Sequence, residues 1–160
     1  MREIKFRGRI DTGEWVIGSL YRDWDMPECA SIIPIGSLDD KWGDIYRVTA
    51  YEVDPATVGQ YTGLKDKNGV EIYEGDVVSF DDMGEEGYEY KEGFDFTNVA
   101  RVEFKNARFQ LTDFRSDNSG VLDSMNNCHD EFADMFKYYA EVIGNIYDNP
   151  ELLEGVRANG

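Results

Sequence analysis

A single histidine, two cysteines and 16 basic residues against 33 acidic ones set the limits of this 160-residue chain. One histidine cannot build a histidine cage around a metal, and it leaves nucleophile chemistry of the serine–histidine or cysteine–histidine kind without support. Cys29 and Cys128 are far apart in sequence and too few for the disulfide framework of a small secreted domain, so they read as reduced thiols. His129 follows Cys128 directly, and neighbours in sequence do not face each other on a helix. No apolar run approaches the roughly 20 residues that cross a bilayer. The opening Met1-Arg2-Glu3-Ile4-Lys5-Phe6 lacks the apolar core of a signal peptide, and the expected location is the cytoplasm. There is no Gly-Lys-Ser/Thr ending for a phosphate loop, and Gly8, Gly13 and Gly18 do not form a dinucleotide fingerprint. The formal net charge of −17 argues against a general grip on nucleic-acid phosphates and against an anionic membrane. No catalytic residue, cofactor or metal is assigned, and the chain is expected not to be an enzyme. Its expected partners are proteins, including further copies of itself, with no nucleic acid and no membrane.

What is present supports a packed core: 41% of residues are hydrophobic and 14% aromatic. Glu3–Arg7 alternates apolar and polar residues at the strand period, with Ile4 and Phe6 on one face. Asp11-Thr12-Gly13 turns the chain into a second strand from Trp15 to Tyr21. Ser31–Ile35 reads as a short strand that Pro34 confines to an edge or an end. Residues 36–44 are polar and read as a loop, and Ile45–Val53 reads as one strand rich in β-branched and aromatic residues. Asn68-Gly69 between apolar flanks predicts a hairpin with a type I′ turn, followed by a sharp bend at Gly75-Asp76 into a buried strand, Val77–Phe80. Strands are expected again at Val99–Phe104 and Arg108–Phe114, joined by a turn at Asn106-Ala107. A helix is expected over Asp130–Lys137 and a final strand over Glu141–Tyr147. Asn149-Pro150-Glu151 reads as the cap and first turn of a short closing helix.

Charge is unevenly spread. Residues 51–100 carry three basic and thirteen acidic groups, whereas the start of the chain gathers Arg2, Lys5, Arg7 and Arg9 against Glu3. Within 81–98, seven acids including Asp81, Asp82, Glu85 and Glu86 are interleaved with Tyr88, Tyr90, Phe94 and Phe96. Their spacing is not that of a calcium loop, and the segment reads as a solvated acidic insertion.

Three blocks resemble the YopX family of bacteriophage and prophage proteins: Arg2–Arg7, the long Val58-Gly59-Gln60-Tyr61-Thr62-Gly63-Leu64-Lys65-Asp66-Lys67-Asn68-Gly69-Val70-Glu71-Ile72-Tyr73-Glu74-Gly75-Asp76-Val77-Val78, and Val142–Leu152. The resemblance implies a phage or prophage accessory protein and carries over no catalytic residues. It implies a mainly β fold with a minor α content. Twisted antiparallel hairpins would be joined to a small SH3-like or barrel-like C-terminal half with one or two short helices. The expected organisation is an N-terminal β subdomain (1–53), a YopX-like subdomain (54–154) holding the acidic insertion, and a tail (155–160). Gly63, Asn68, Gly69, Gly75, Asp76 and Gly144 are expected to serve as turn, bend and bulge residues.

Interaction candidates are Lys5, Arg7 and Arg9 on the first strand and Asp81, Asp82, Glu85, Glu86, Tyr88, Tyr90, Phe94 and Phe96 in the acidic segment. An edge strand with basic side chains in one subunit could meet the acidic aromatic segment of another. The alternative is an acidic DNA mimic that occupies a host nucleic-acid-binding protein. In either case the chain is expected to give no mobility shift of duplex DNA at micromolar protein in about 150 mM salt; a shift there would overturn the charge argument.

Overall fold

The computed structural model describes residues 3–36, 38–42, 45–82, 96–115 and 129–154. The chain divides into two compact units, Met1–Gly63 and Leu64–Gly160. The first holds β1 (Phe6–Arg9), β2 (Trp15–Tyr21), β3 (Ala30–Pro34), β4 (Leu38–Trp42), β5 (Ile45–Val48), β6 (Tyr51–Val53), a 3-10 turn (Pro55–Thr57) and the start of β7 (Gly59–Lys65). The main sheet of this unit runs β6-β3-β2-β1-β7, and β4 and β5 pair separately. Its ladders among the described residues are antiparallel, with Arg7 opposite Ile17, Leu20 opposite Ile32 and Ser31 opposite Glu52. Its core is Ala30, Ile32 and Val53, against which Phe6, Ile10, Val16, Leu20 and Val58 pack.

Strand β1 is interior to this sheet, between β2 and β7, and is not an edge. Its two faces are both covered. Phe6 lies on the core side. On the other face the Lys5 ammonium sits 4.7 Å from the centre of the Tyr61 ring, and the Arg7 guanidinium 4.7 Å from that of Trp15. Lys5 is 7% exposed and Ile4 67% exposed, so the apolar-in pattern expected at the start of the chain is reversed there. A long cationic stem is buried readily when an aromatic face receives its charged head.

The second unit continues β7 into a hairpin with β8 (Glu71–Tyr73), then β9 (Asp76–Asp82), β10 (Phe96–Lys105), β11 (Arg108–Thr112), helix α1 (His129–Tyr138), β12 (Glu141–Asn145) and a 3-10 turn, Pro150–Leu152. Its antiparallel sheet has the order β11-β10-β9-β12. Val78, Phe80, Ala100, Val102 and Leu111 recur at alternate positions of three strands and meet Met135, Phe136 and Ala140, at the end of α1 and just beyond it. The mainly β class with short helices is what the structure shows. Among the described residues the sheet of the C-terminal half is open, however: β11 and β12 stand at its two ends and do not close it into a barrel. Barrel closure needs a consistent tilt and stagger around every strand, and here α1 covers one face instead.

Local differences from the sequence reading each have a cause. Leu38–Trp42 is a strand inside the expected loop, hidden by its charged residues, and Ile45–Val53 is broken at Thr49-Ala50 into two strands with different partners. Residues 81–82 and 96–98, whose polarity places them in the insertion by sequence, belong to β9 and β10, paired as far as Phe96 opposite Asp82. Pro34 lies at the end of β3, as its missing N–H requires. Asn149 makes no side-chain cap bond.

The two Gly-containing hairpin turns share one design. Ile10 N–H donates to Glu14 O and Gly13 N–H to Ile10 O, both at 3.0 Å; Asp66 N–H donates to Val70 O and Gly69 N–H to Asp66 O, both at 2.9 Å. Among the central residues only the glycines, Gly13 (φ +90°) and Gly69 (φ +80°), are left-handed. Each is therefore a type I turn closed by a glycine bulge, and the type I′ turn expected at Asn68-Gly69 is absent. Two successive left-handed residues occur instead at Asn106 (φ 54°) and Ala107 (φ 61°), where Lys105 pairs with Arg108.

The Asp66 carboxylate, 4% exposed, anchors the second unit. One oxygen accepts the N–H groups of Asn68 (2.8 Å) and Val70 (2.9 Å), and the other accepts that of Val142 on β12 at 2.9 Å. Lys67 N–H donates to Ala140 O beside it. Asp66→Asn keeps the shape but turns an amide donor toward one of these donors, and it should lower stability by roughly 1–3 kcal/mol. An unchanged urea midpoint would contradict the role given to Asp66. Ala107→Gly relieves a left-handed alanine and should raise stability by roughly 0.5–1 kcal/mol; a fall in melting temperature would contradict the turn geometry.

Candidate functional site

The first unit carries an open concavity of about 1080 Å³ lined by the β1–β2 turn (Arg9, Ile10, Asp11, Thr12, Gly13) and by Ala50–Pro55. Its base is stitched by backbone bonds. Arg9 O accepts the Asp54 N–H at 2.8 Å, and Arg9 N–H donates to the Thr57 hydroxyl at 2.9 Å. That hydroxyl donates on to Asp54 O at 2.7 Å, while the Asp54 carboxylate accepts the Ala56 N–H and caps the 3-10 turn. Thr57 is 2% exposed, so this stitch is dry and holds the two walls in register.

One wall is β6, the terminal strand of its sheet. Among the described residues no further strand pairs with it. Tyr51 and Glu52 are exposed along it and Val53 is buried. The opposite wall is the bulged turn, stiffened by Thr12 donating to the Glu14 carboxylate at 3.0 Å. Asp11, Glu52 and Asp54 against Arg9 make the rim acidic on balance. A free strand edge beside a groove can accept an extended chain through main-chain hydrogen bonds, with side chains of the incoming strand lodged alternately in the groove.

The structure disposes of the expected site residues as follows. Lys5 and Arg7 are engaged with Tyr61 and Trp15 on an interior strand, so the basic edge strand expected from the sequence does not exist; Arg9 alone of the three lines the concavity. Asp81 and Asp82 end β9 and Phe96 begins β10. Glu85, Glu86, Tyr88, Tyr90 and Phe94 lie outside the described residues, as does Cys128. Gly63 and Gly75 have φ near +86° and +87°, and Gly75 exchanges backbone bonds with Val102 and Ile146. Asp76, 1% exposed, accepts the Tyr73 N–H at 2.7 Å, which sets the bend. At Gly144 a Cβ would lie 2.5 Å from the Asn149 side chain and 2.8 Å from Leu152, and the register of β12 on β9 shifts between Val142 and Gly144. Among the described residues no group of three or more His, Cys, Asp or Glu side chains could hold a metal. No helix among them is long and apolar enough to cross a membrane.

The sequence reading missed the concavity. Its only signal was Tyr51-Glu52-Val53 running into Asp54-Pro55, which marks the end of a strand but not its place at the edge.

A family model described as YopX protein matches residues 5–154. Among solved structures, the chain is similar to the crystal structure of protein EF1440 from Enterococcus faecalis, with 22% sequence identity over 96% of this chain and 99% of that one and a TM-score of 0.53. That likeness is one of fold. No curated protein matches the chain.

Proposed function

The chain belongs to the YopX family, and from that premise we propose that it is a non-enzymatic phage or prophage accessory protein that acts in the bacterial cytoplasm by binding another protein or by self-assembly. The observation that carries this reading is the edge of β6, with which no further strand among the described residues pairs, beside the acidic concavity. The walls are already fixed by the Arg9–Asp54–Thr57 stitch, so little ordering cost falls on association. The composition supports this reading to the extent that one histidine and no phosphate-loop motif leave histidine-based and phosphate-loop chemistry without support.

A lysine on an edge strand obstructs pairing with another chain. Tyr51 is 43% exposed, so Tyr51→Lys should leave the fold intact, checked by circular dichroism. Affinity purification from infected or lysogenic cells, with the partner identified, and light scattering of the purified chain at tens of micromolar read the two forms of the proposal. The wild type is expected to hold a defined partner or to form a defined oligomer, and Tyr51→Lys to weaken that association by at least about tenfold. A wild-type monomer that retains no protein would overturn the binding reading. An association that Tyr51→Lys leaves intact would overturn the assignment to β6.

A further inference from the structure

The loop between β2 and β3 presents Trp24 at 95% exposure. Trp is among the side chains that gain most from burial, on the order of 150–250 Å² each, and so complete an exposure is informative. Tyr21 and Met26, three residues before it and two after it in the chain, are exposed as well. The loop that carries it is internally bonded. Asp23 accepts the Asp25 N–H at 2.8 Å across the tryptophan, Cys29 N–H donates to Met26 O at 2.9 Å, and the Arg22 guanidinium donates to Pro27 O at 3.2 Å. Tyr21 and Ser31 pair at its base. The indole thus projects from a loop whose backbone is already set.

Its surroundings are acidic. Asp23, Asp25 and Glu28 flank the tryptophan, and the one cation of the loop, Arg22, is turned onto Pro27. We propose that Trp24 is the anchor of a protein interface, inserted into an apolar pocket whose rim carries Lys or Arg side chains that meet Asp23, Asp25 and Glu28. Buried aromatic anchors dominate binding energy, and a complementary charged rim sets orientation and encounter rate. Fixing the loop beforehand removes much of the ordering cost. A second copy of this chain is a poorer host, since the concavity of the first unit presents Asp11, Glu52 and Asp54 to the same acids. An anionic lipid surface is disfavoured for the same reason. The proposal is independent of the assignment to β6.

The test places the photo-reactive residue p-benzoylphenylalanine at position 24, in the cell that encodes the protein, and irradiates. The expected product is an adduct with a different protein, whose cross-linked peptide lines an apolar pocket with a basic rim. Asp25→Lys with Glu28→Lys, which leaves the bond from Asp25 N–H to the Asp23 carboxylate in place, should lower its yield at least about tenfold. With the captured protein purified, Trp24→Ala should raise Kd by about thirtyfold or more. The absence of a protein adduct, an adduct with a second copy of this chain or with lipid, or an adduct indifferent to charge reversal would each overturn the proposal.

Discussion

Burying a carboxylate is costly unless its lone pairs are taken up, and the second unit is arranged around the solution found at Asp66. The residue lies in the β7–β8 turn, but its second oxygen reaches an N–H on β12, some seventy-six positions away in the chain. A turn and the last strand are thereby locked in one register. Everything between them, the strands β8–β11 and helix α1, is folded inside that closure. The neighbouring bond from Lys67 N–H to Ala140 O and the ion pair from Lys67 to Glu141 at 3.3 Å run along the same line, the latter exposed and of small weight.

Much of the local structure was legible because it rests on local chemistry. Gly13 and Gly69 mark turns because a left-handed backbone asks for glycine, and the second half of α1 shows its apolar face in Met135 and Phe136. Strand order was not legible. The turn at Asp11-Thr12-Gly13 sets β2 beside β1, but nothing in the sequence says that β7 lies on the other side, and without that fact the arginines and lysine look like a free basic edge. Lys5 is buried by Tyr61, a residue from a different strand, so its burial is a property of the pairing and not of the segment. The turn type at Asn68-Gly69 failed for a finer reason. An Asn-Gly pair can supply one left-handed residue or two, and the side chain of Asp66 holds the longer, bulged alternative with Asn68 in an ordinary conformation.

Of the candidate site, the sequence showed charge and aromatic content but not their placement. The concavity is made by a turn and an edge strand about forty residues apart, stitched by Thr57, whose hydroxyl spans Arg9 and Asp54. Trp24 carries no motif. Its importance lies in its exposure, and a tryptophan between two aspartates reads equally as a residue folded inward. The two surfaces share an acidic character that follows from the composition of the whole chain, so selectivity has to come from shape: an edge and groove in one case, a single projecting ring in the other.

The pairing of Phe96 with Asp82 has a further consequence. The ends of the connection between β9 and β10 are held side by side by the ladder, whatever lies between them. The entropy of closing such a connection grows only logarithmically with its length, about 0.6 kcal/mol for each doubling. This hairpin end is therefore the place where relatives can differ in length at little cost to the sheet. It is also where a fluorescent domain or an affinity tag could be spliced into the chain with both of its own termini left untouched.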